Sequence, residues 1–319
     1  MSIRNKPKIK YFSCFLLGLL VFGCAELPSV TESPDRLPHL VVLGDRTGGH
    51  RPGVFPKMLE YANSLPANAW LSVGDLIEGY SEDPQELKEE WQEIDALFAL
   101  FDRPLHIAPG NHDISNAVQQ AIWLERYGHT YYSIRYGDVL ILMLDTEDPP
   151  VQLPPEAIEG QNRLVANILA KPQETQAAIL TASRANNDQA KKLPGSVAIS
   201  DSQIAWAKAE LEKNRNASWT IVLMHKPAWQ YDHKGFLELE EALQDRNYTV
   251  IAGHEHYFKQ EQRFGRAYIT MATCGGIWLK DGPGRMDHLL EIKWRAEQPV
   301  LINHRYDGKG FQVEELALD

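Results

Sequence analysis

Four runs of β-branched or bulky apolar residues in this chain each stop at side chains that bind metals. Leu40-Val41-Val42-Leu43 leads into Gly44-Asp45, and Trp70-Leu71-Ser72-Val73 into Gly74-Asp75-Leu76-Ile77-Glu78. Thr220-Ile221-Val222-Leu223 leads into Met224-His225-Lys226-Pro227, and Thr249-Val250-Ile251-Ala252 into Gly253-His254-Glu255-His256. A fifth segment, Leu105-His106-Ile107-Ala108, precedes Gly110-Asn111-His112-Asp113. Short apolar runs of this composition are expected to form buried strands. Ligands at the ends of several strands converge on one edge of a sheet, where open α/β folds place their sites. The pattern therefore demands an α/β fold and points to a metal-dependent hydrolase.

The residue types sharpen that expectation. An Asp at a strand end can bridge two divalent cations about 3.5–4 Å apart, because it offers two oxygens and a full charge. Asp45 and Asp75 are candidates, although an isolated Asp after a strand is more often a cap or turn residue. His254 and His256 would share a face in a regular strand; in a turn they can reach two neighbouring ions. Imidazole suits Mn, Fe or Zn, while carboxylate and amide oxygens suit harder ions. A lone His is usually structural. Two at this spacing, with His225 and Asn111 each following an apolar strand, are not explained by packing.

Helical and strand signals alternate along the chain. Val54, Phe55, Met58, Leu59 and Ala62 recur at helical spacing, as do Leu87, Trp91, Ile94, Phe98 and Phe101. Ser115 is expected to cap a helix running to about Tyr127. Tyr131–Arg135 and Val139–Leu144 flank a Gly137-Asp138 turn and form a hairpin. Residues 149–200 open with Pro149, Pro150, Pro154 and Pro155 and continue Ala/Gln/Asn-rich. They read as an insertion over the core, either a lid or partner surface or a solvated excursion. Ser200 or Asp201 starts the next helix. The C-terminal third is strand-rich. Mixed strands with helices outside predict two packed sheets flanked by helices.

The order Asp, Gly-Asp-x-x-Glu, Gly-Asn-His-Asp, His, Gly-His-x-His resembles the calcineurin-like metallophosphoesterases over about residues 39–305. The resemblance implies an α/β/β/α four-layer sandwich with a dinuclear site. It implies Asp45, Asp75 and His256 on a first metal, and bridging Asp75 with Asn111, His225 and His254 on a second. It further implies a metal-activated water that attacks phosphorus in line. His112 would stabilise phosphoryl charge or protonate the leaving alkoxide, and Asn111 would also contact substrate. Asp113 could orient His112 through its other ring nitrogen, or cap a helix. Arg46 is a candidate phosphate contact or a surface Arg paired with a carboxylate. Glu78 reads as a supporting residue rather than a ligand.

One block departs from the family. The family's usual Asp-x-His is Asp45-Arg46-Thr47 here, and a neutral hydroxyl is a poor transition-metal ligand. His50 could swing in on the Gly48-Gly49 hinge, the first site could be weak, or the protein could work with one metal.

Residues 1–23 resemble a lipoprotein-type signal. Arg4, Lys6, Lys8 and Lys10 precede a short apolar stretch ending in Val21-Phe22-Gly23-Cys24. Cleavage before Cys24 and lipidation there would leave residues 24–38 as a tether and 39–319 as the domain. An ordinary secretory signal or an uncleaved anchor are the alternatives. Lipidated Cys24 would hold the domain at a membrane, facing the periplasm or cell exterior, with an outer membrane preferred. Formal charge is −11, and loss of the signal makes it more negative still, which disfavours nucleic acid as a partner. Of three cysteines, Cys14 lies in the signal and Cys24 would carry lipid. Cys274 is left without a disulfide partner. The substrate expected is a phosphate ester, with a single-metal anion-binding envelope lipoprotein as the alternative.

Overall fold

The computed structural model describes residues 37–185 and 196–317. The predicted signal, Cys24 and all but the last two residues of the tether lie outside the described residues. The elements run β1 (Leu40–Leu43), α1 (Val54–Ser64), β2 (Ala69–Ser72), α2 (Pro84–Phe98), β3 (Leu105–Ile107) and α3 (Ala117–Tyr127). A hairpin of β4 (Tyr132–Tyr136) and β5 (Val139–Met143) follows, then α4 (Pro155–Ala170), α5 (Pro172–Ala185) and α6 (Asp201–Lys213). Next come β6 (Trp219–Leu223), α7 (Lys234–Leu243), β7 (Tyr248–Ala252), β8 (Lys259–Arg263) and β9 (Arg266–Thr270). The last three strands are β10 (Asp287–Arg295), β11 (Gln298–Tyr306) and β12 (Phe311–Glu315).

Two six-stranded mixed sheets result, ordered β12-β11-β10-β1-β2-β3 and β4-β5-β6-β7-β9-β8. In the first, β1, β2 and β3 are parallel, and β10 pairs antiparallel with β1. In the second, β5, β6, β7 and β9 are parallel.

The period-2 alternation of each strand sorts its side chains between layers. Leu40, Val42, Leu71 and Val73 meet Ile141, Met143, Ile221 and Leu223 between the sheets. Val41, Leu43 and Trp70 turn the other way, onto Phe55 and Met58 of α1 and Trp91 and Ile94 of α2. On the outer face of the second sheet, Leu140, Val222 and Val250 pack on Ile204 and Leu211 of α6 and Phe236 of α7. The expected α/β/β/α sandwich is therefore observed.

Three local expectations need adjusting. Helix α3 is capped by Asn116, whose side chain accepts from the Gln119 N–H, not by Ser115. Strand β8 carries no apolar residue and β12 only Phe311 and Val313, and neither has a counterpart in the sequence reading. The first half of the expected insertion is two helices, and they pack on the core. Ile168 of α4 is fully buried, and the Gln176 amide of α5 pairs with both the N–H and the C=O of Trp278. Among the described residues, no helix is long and apolar enough to cross a membrane.

Candidate metal centre

The parallel strands deliver their polar residues to one end of the sandwich. Asp45 follows β1, Asp75 follows β2, and Asn111 and His112 follow β3. From the second sheet, His225 follows β6, and His254 and His256 follow β7. Two glycines make the approach possible. A Cβ on Gly110 would sit 2.1 Å from Asp75 Oδ1, and one on Gly253 would sit 2.4 Å from Asp45 Oδ1. Any other residue would displace the carboxylates.

His225 Nε2 is the hub. It lies 3.1 Å from Asp75 Oδ2, 3.0 Å from Asn111 Oδ1 and 3.3 Å from His254 Nδ1. Ligand atoms around a metal with bonds of roughly 2.0–2.2 Å lie about 3.0–3.4 Å apart, so these spacings match the edges of a coordination polyhedron. Asp75, His225 and His254 form a compact ligand cluster. His225 Nδ1 donates to the Val73 carbonyl at 2.8 Å, which fixes the tautomer and turns Nε2 inward.

A second group of donors adjoins the first. His256 Nε2 is 3.6 Å from Asp45 Oδ2, and its Nδ1 is held by the Ile277 carbonyl. Asp45 Oδ2 accepts from the His254 N–H at 2.8 Å, while Oδ1 is buried with no hydrogen-bond partner among the described residues. An orphaned buried carboxylate oxygen is costly, and a cation would satisfy it.

The electrostatics agree with a cation site. Burial raises the Asp45 carboxyl well above its ordinary value, and Asp75 adds to this against the pull of His225. Burial also pushes Asp75 up, but His225 and His112 overcome it and hold that carboxyl well below the usual range. Burial lowers His225, yet Asp75 and Asp45 outweigh it and bring it to about 9. Burial drives His256 down to about 4, and burial with His225 and Lys226 drives His254 well below its ordinary value. The buried carboxylates of Asp45 and Asp75 thus favour positive charge between them. A divalent ion would supply that charge with every ligating imidazole neutral. The residues present fit such an ion.

His112 stands over Asp75, with Nε2 4.0 Å from Asp75 Oδ2. Its Nδ1 donates to the Glu78 carbonyl at 2.6 Å, not to Asp113. That corrects the orienting role expected for Asp113. The Asp113 carboxylate instead accepts backbone N–H groups from Asp75, Leu76, Ile77 and Gly110 at 2.8–3.3 Å. It ties the β2 loop to the β3 loop and positions both.

Arg46 is also corrected as a substrate contact. It is buried, donates to the Leu76 carbonyl at 2.8 Å and pairs with Glu93 of α2. Its guanidinium is spent on the fold, because a buried charge needs its partners.

Neither candidate for the missing first-block ligand joins the cluster. The Thr47 hydroxyl is buried against the carbonyls of Ile77 (2.7 Å) and Asp75 (3.0 Å). Glu78 accepts from both the N–H and Nδ1 of His50, and from the Gly49 N–H. Gly48 adjoins the site: a Cβ there would lie 2.9 Å from the His256 ring and 3.6 Å from His112 Nε2.

Tyr80 escaped the sequence reading. Its hydroxyl accepts from Asn111 Nδ2 at 2.7 Å, which leaves Asn111 Oδ1 facing His225. Its ring meets His112 edge-on at 4.7 Å. The residue sits at φ 60°, an uncommon conformation for a bulky side chain. No spacing rule marks it; a Tyr soon after Gly-Asp-x-x-Glu is the only sequence trace.

The calcineurin-like phosphoesterase family profile matches residues 38–258, which contain every ligand described above. No curated protein shows significant similarity to the chain. Among solved structures, a dimetal phosphatase from Danio rerio is similar at 12% identity and a TM-score of 0.56, covering 89% of this chain and 100% of that one. GAP50, the anchor in the inner membrane complex of Plasmodium, is similar at 14% identity and a TM-score of 0.50, covering 88% and 89%. These likenesses show a shared fold. The chain belongs to the calcineurin-like phosphoesterase family of metal-dependent phosphoesterases.

Proposed function

We propose that this protein hydrolyses phosphate esters at a centre with one strongly built metal position and one weaker position. The spacing of Asp75, Asn111 and His254 around His225 Nε2 carries the reading. Those four residues would hold the strong metal. Asp45, Asp75 and His256 would hold the weaker one, which lacks a histidine at position 47. Mixed imidazole and oxygen donors suit Mn, Fe or Zn. When bound, such an ion supplies a water of lowered pKa and positive charge against the phosphoryl oxygens.

The chain's own groups complete the chemistry. His112 keeps its Nδ1 proton on the Glu78 carbonyl, so Nε2 faces the substrate. Protonated there, it gives its proton to the departing alkoxide. Asn111 and His112 contact the phosphoryl group, and Tyr80 holds both in place. Asp113 keeps the two loops in register.

The N-terminal sequence supports export and lipidation at Cys24, which would present this centre outside the cytoplasm on a membrane surface. A Cys24→Ser variant recovered in the soluble fraction would support that anchor.

The test is cleavage of p-nitrophenyl phosphate and bis-p-nitrophenyl phosphate by the full chain with added Mn²⁺, Fe²⁺ or Zn²⁺, alongside metal content per chain. Metal-dependent turnover that is lost in His225→Ala supports the proposal. A folded protein that binds one metal and cleaves neither ester would instead favour a single-metal anion-binding module, the reading to which the buried Thr47 hydroxyl points.

A further inference from the structure

Helix α4 turns Ile168 fully inward, onto the backbone of the first metal-binding block. A Cβ on Gly49 would lie 2.3 Å from Ile168 Cδ1 and 3.2 Å from Ile277 Cγ2. Ile168 and Ile277 therefore converge on Gly49, and no larger residue fits there. On its other side the same loop is held by Glu78, which accepts the Gly49 and His50 N–H groups.

Helix α5 grips the neighbouring loop. The buried Gln176 amide accepts from the Trp278 N–H at 2.9 Å and donates to the Trp278 carbonyl at 2.8 Å. Arg51 donates to the Gly276 carbonyl at 2.9 Å and lies 4.0 Å from the centre of the Trp278 ring. Ile277, between these two anchored residues, supplies the carbonyl that holds His256 Nδ1.

The two loops enclose the His256 ring. A Cβ on Gly48 or on Gly276 would in each case lie 2.9 Å from His256 Cε1, so the ring fills a slot between two glycines. The weaker metal position lacks a histidine at 47, which leaves His256 as its imidazole. Its affinity then depends on how firmly that one ring is aimed. His225 differs: the Val73 carbonyl, at the end of β2, holds its Nδ1 from within the core.

We propose that α4 and α5 are a brace that holds His256 in its ligating orientation, with Ile168 and Gln176 as positioning residues acting through Gly49 and Trp278. The inference rests on the assignment of His256 to the weaker metal position. It goes beyond that assignment by giving the insertion a part in building the metal centre.

Two readouts on the full chain test the brace. In EDTA-treated protein, NMR follows the exchange of the ring Nδ1 protons of His256 and His225, the first assigned with His256→Gln. In Ile168→Ala and in Gln176→Ala the His256 proton should exchange about tenfold faster, while the His225 proton stays within about twofold. Calorimetric titration with Mn²⁺ should show the weaker affinity falling about tenfold and the stronger one holding within about twofold. Ile168→Val, which keeps most of the packing, should match the unmodified chain in both. A merely structural role would lower Tm without separating the two histidines. Gln176→Ala carries the test if Ile168→Ala does not fold. An unchanged His256 proton in the folded variants, equal loosening of His225, or a weaker Mn²⁺ affinity that holds within about twofold overturns the brace. A His256 proton that loosens alone, in a protein whose unmodified form takes up a single Mn²⁺, supports the brace and refutes the weaker metal position.

Discussion

Asp113→Asn separates two roles for one carboxylate. In the structure Oδ2 accepts from the Asp75 and Gly110 N–H groups, at 2.8 and 3.0 Å. Oδ1 accepts from Leu76 and Ile77 at 2.9 and 3.3 Å. An amide keeps the shape but turns one oxygen into a donor, so two of the four backbone N–H groups face an NH₂. Each orphaned buried donor costs about 1–3 kcal/mol, and partial relaxation leaves roughly 2–4 kcal/mol in all. For a domain of this size that is a fall in Tm of about 5–12 °C. The same loosening moves Asp75 and weakens metal binding. The assay is differential scanning calorimetry with and without chelator, together with metal titration and kcat at saturating metal. Stability and metal affinity should fall together, while kcat at saturating metal is largely kept. If Asp113→Asn instead keeps its Tm and its metal but loses turnover, the carboxylate is orienting the imidazole after all.

Four further outcomes test the assignments. His225→Ala should lose the tightly bound metal, and with it the metal-dependent rise in Tm, about 2.7 kcal/mol at a hundredfold excess over Kd, read by melting with and without EDTA. His112→Gln should keep its metal content and lose about 10²–10⁴-fold in kcat, measured on p-nitrophenyl phosphate. Arg46→Ala should cost about 1–2 kcal/mol of stability by denaturant titration and leave KM within about twofold, whereas a large rise in KM would return Arg46 to the substrate. Burial, aided by Glu78 and Glu86, pushes the Glu90 carboxyl up to about 7 even though it accepts the Gly79 N–H. The unfolded chain releases that proton at lower pH than the folded one, so stability falls as pH rises from the ordinary carboxylate range towards 7. Glu90→Gln should therefore be the more stable protein by about 1–3 kcal/mol near pH 8, with the gap closing near pH 5.

The ligand residues were legible because two independent signals coincide on them. An apolar run announces a buried strand, and a His, Asp or Asn at its end has no packing reason to be there. What could not be seen is the orientation of those side chains, because their partners are backbone carbonyls. Val73 fixes His225, Ile277 fixes His256 and Glu78 fixes His112, and a carbonyl leaves no mark in a sequence. The partners of Arg46 and Asp113 are hidden for a related reason. Both stand beside ligands in sequence, yet each reaches to another segment: Glu93 on α2 for one, the β2 loop for the other. Strand β8 reads Lys-Gln-Glu-Gln-Arg and was invisible because it is an edge strand whose side chains are exposed or half-buried. Burial periodicity, the signal that reveals strands, is absent there.

The topology of the first sheet also bears on how the chain reaches this state. β1 lies between β2, its near neighbour in sequence, and β10, which arrives from the far end of the chain. Until Asp287–Arg295 has been made and docked, Leu40–Leu43 presents an unpaired edge of four apolar residues. Such an edge is a template for pairing with another chain, and contacts this distant in sequence form late. A polypeptide emerging from the ribosome N-terminus first would carry that adhesive strip from the making of β1 until the making of β10. Shielding by a chaperone, rather than rapid independent collapse, is the expected companion of its early life.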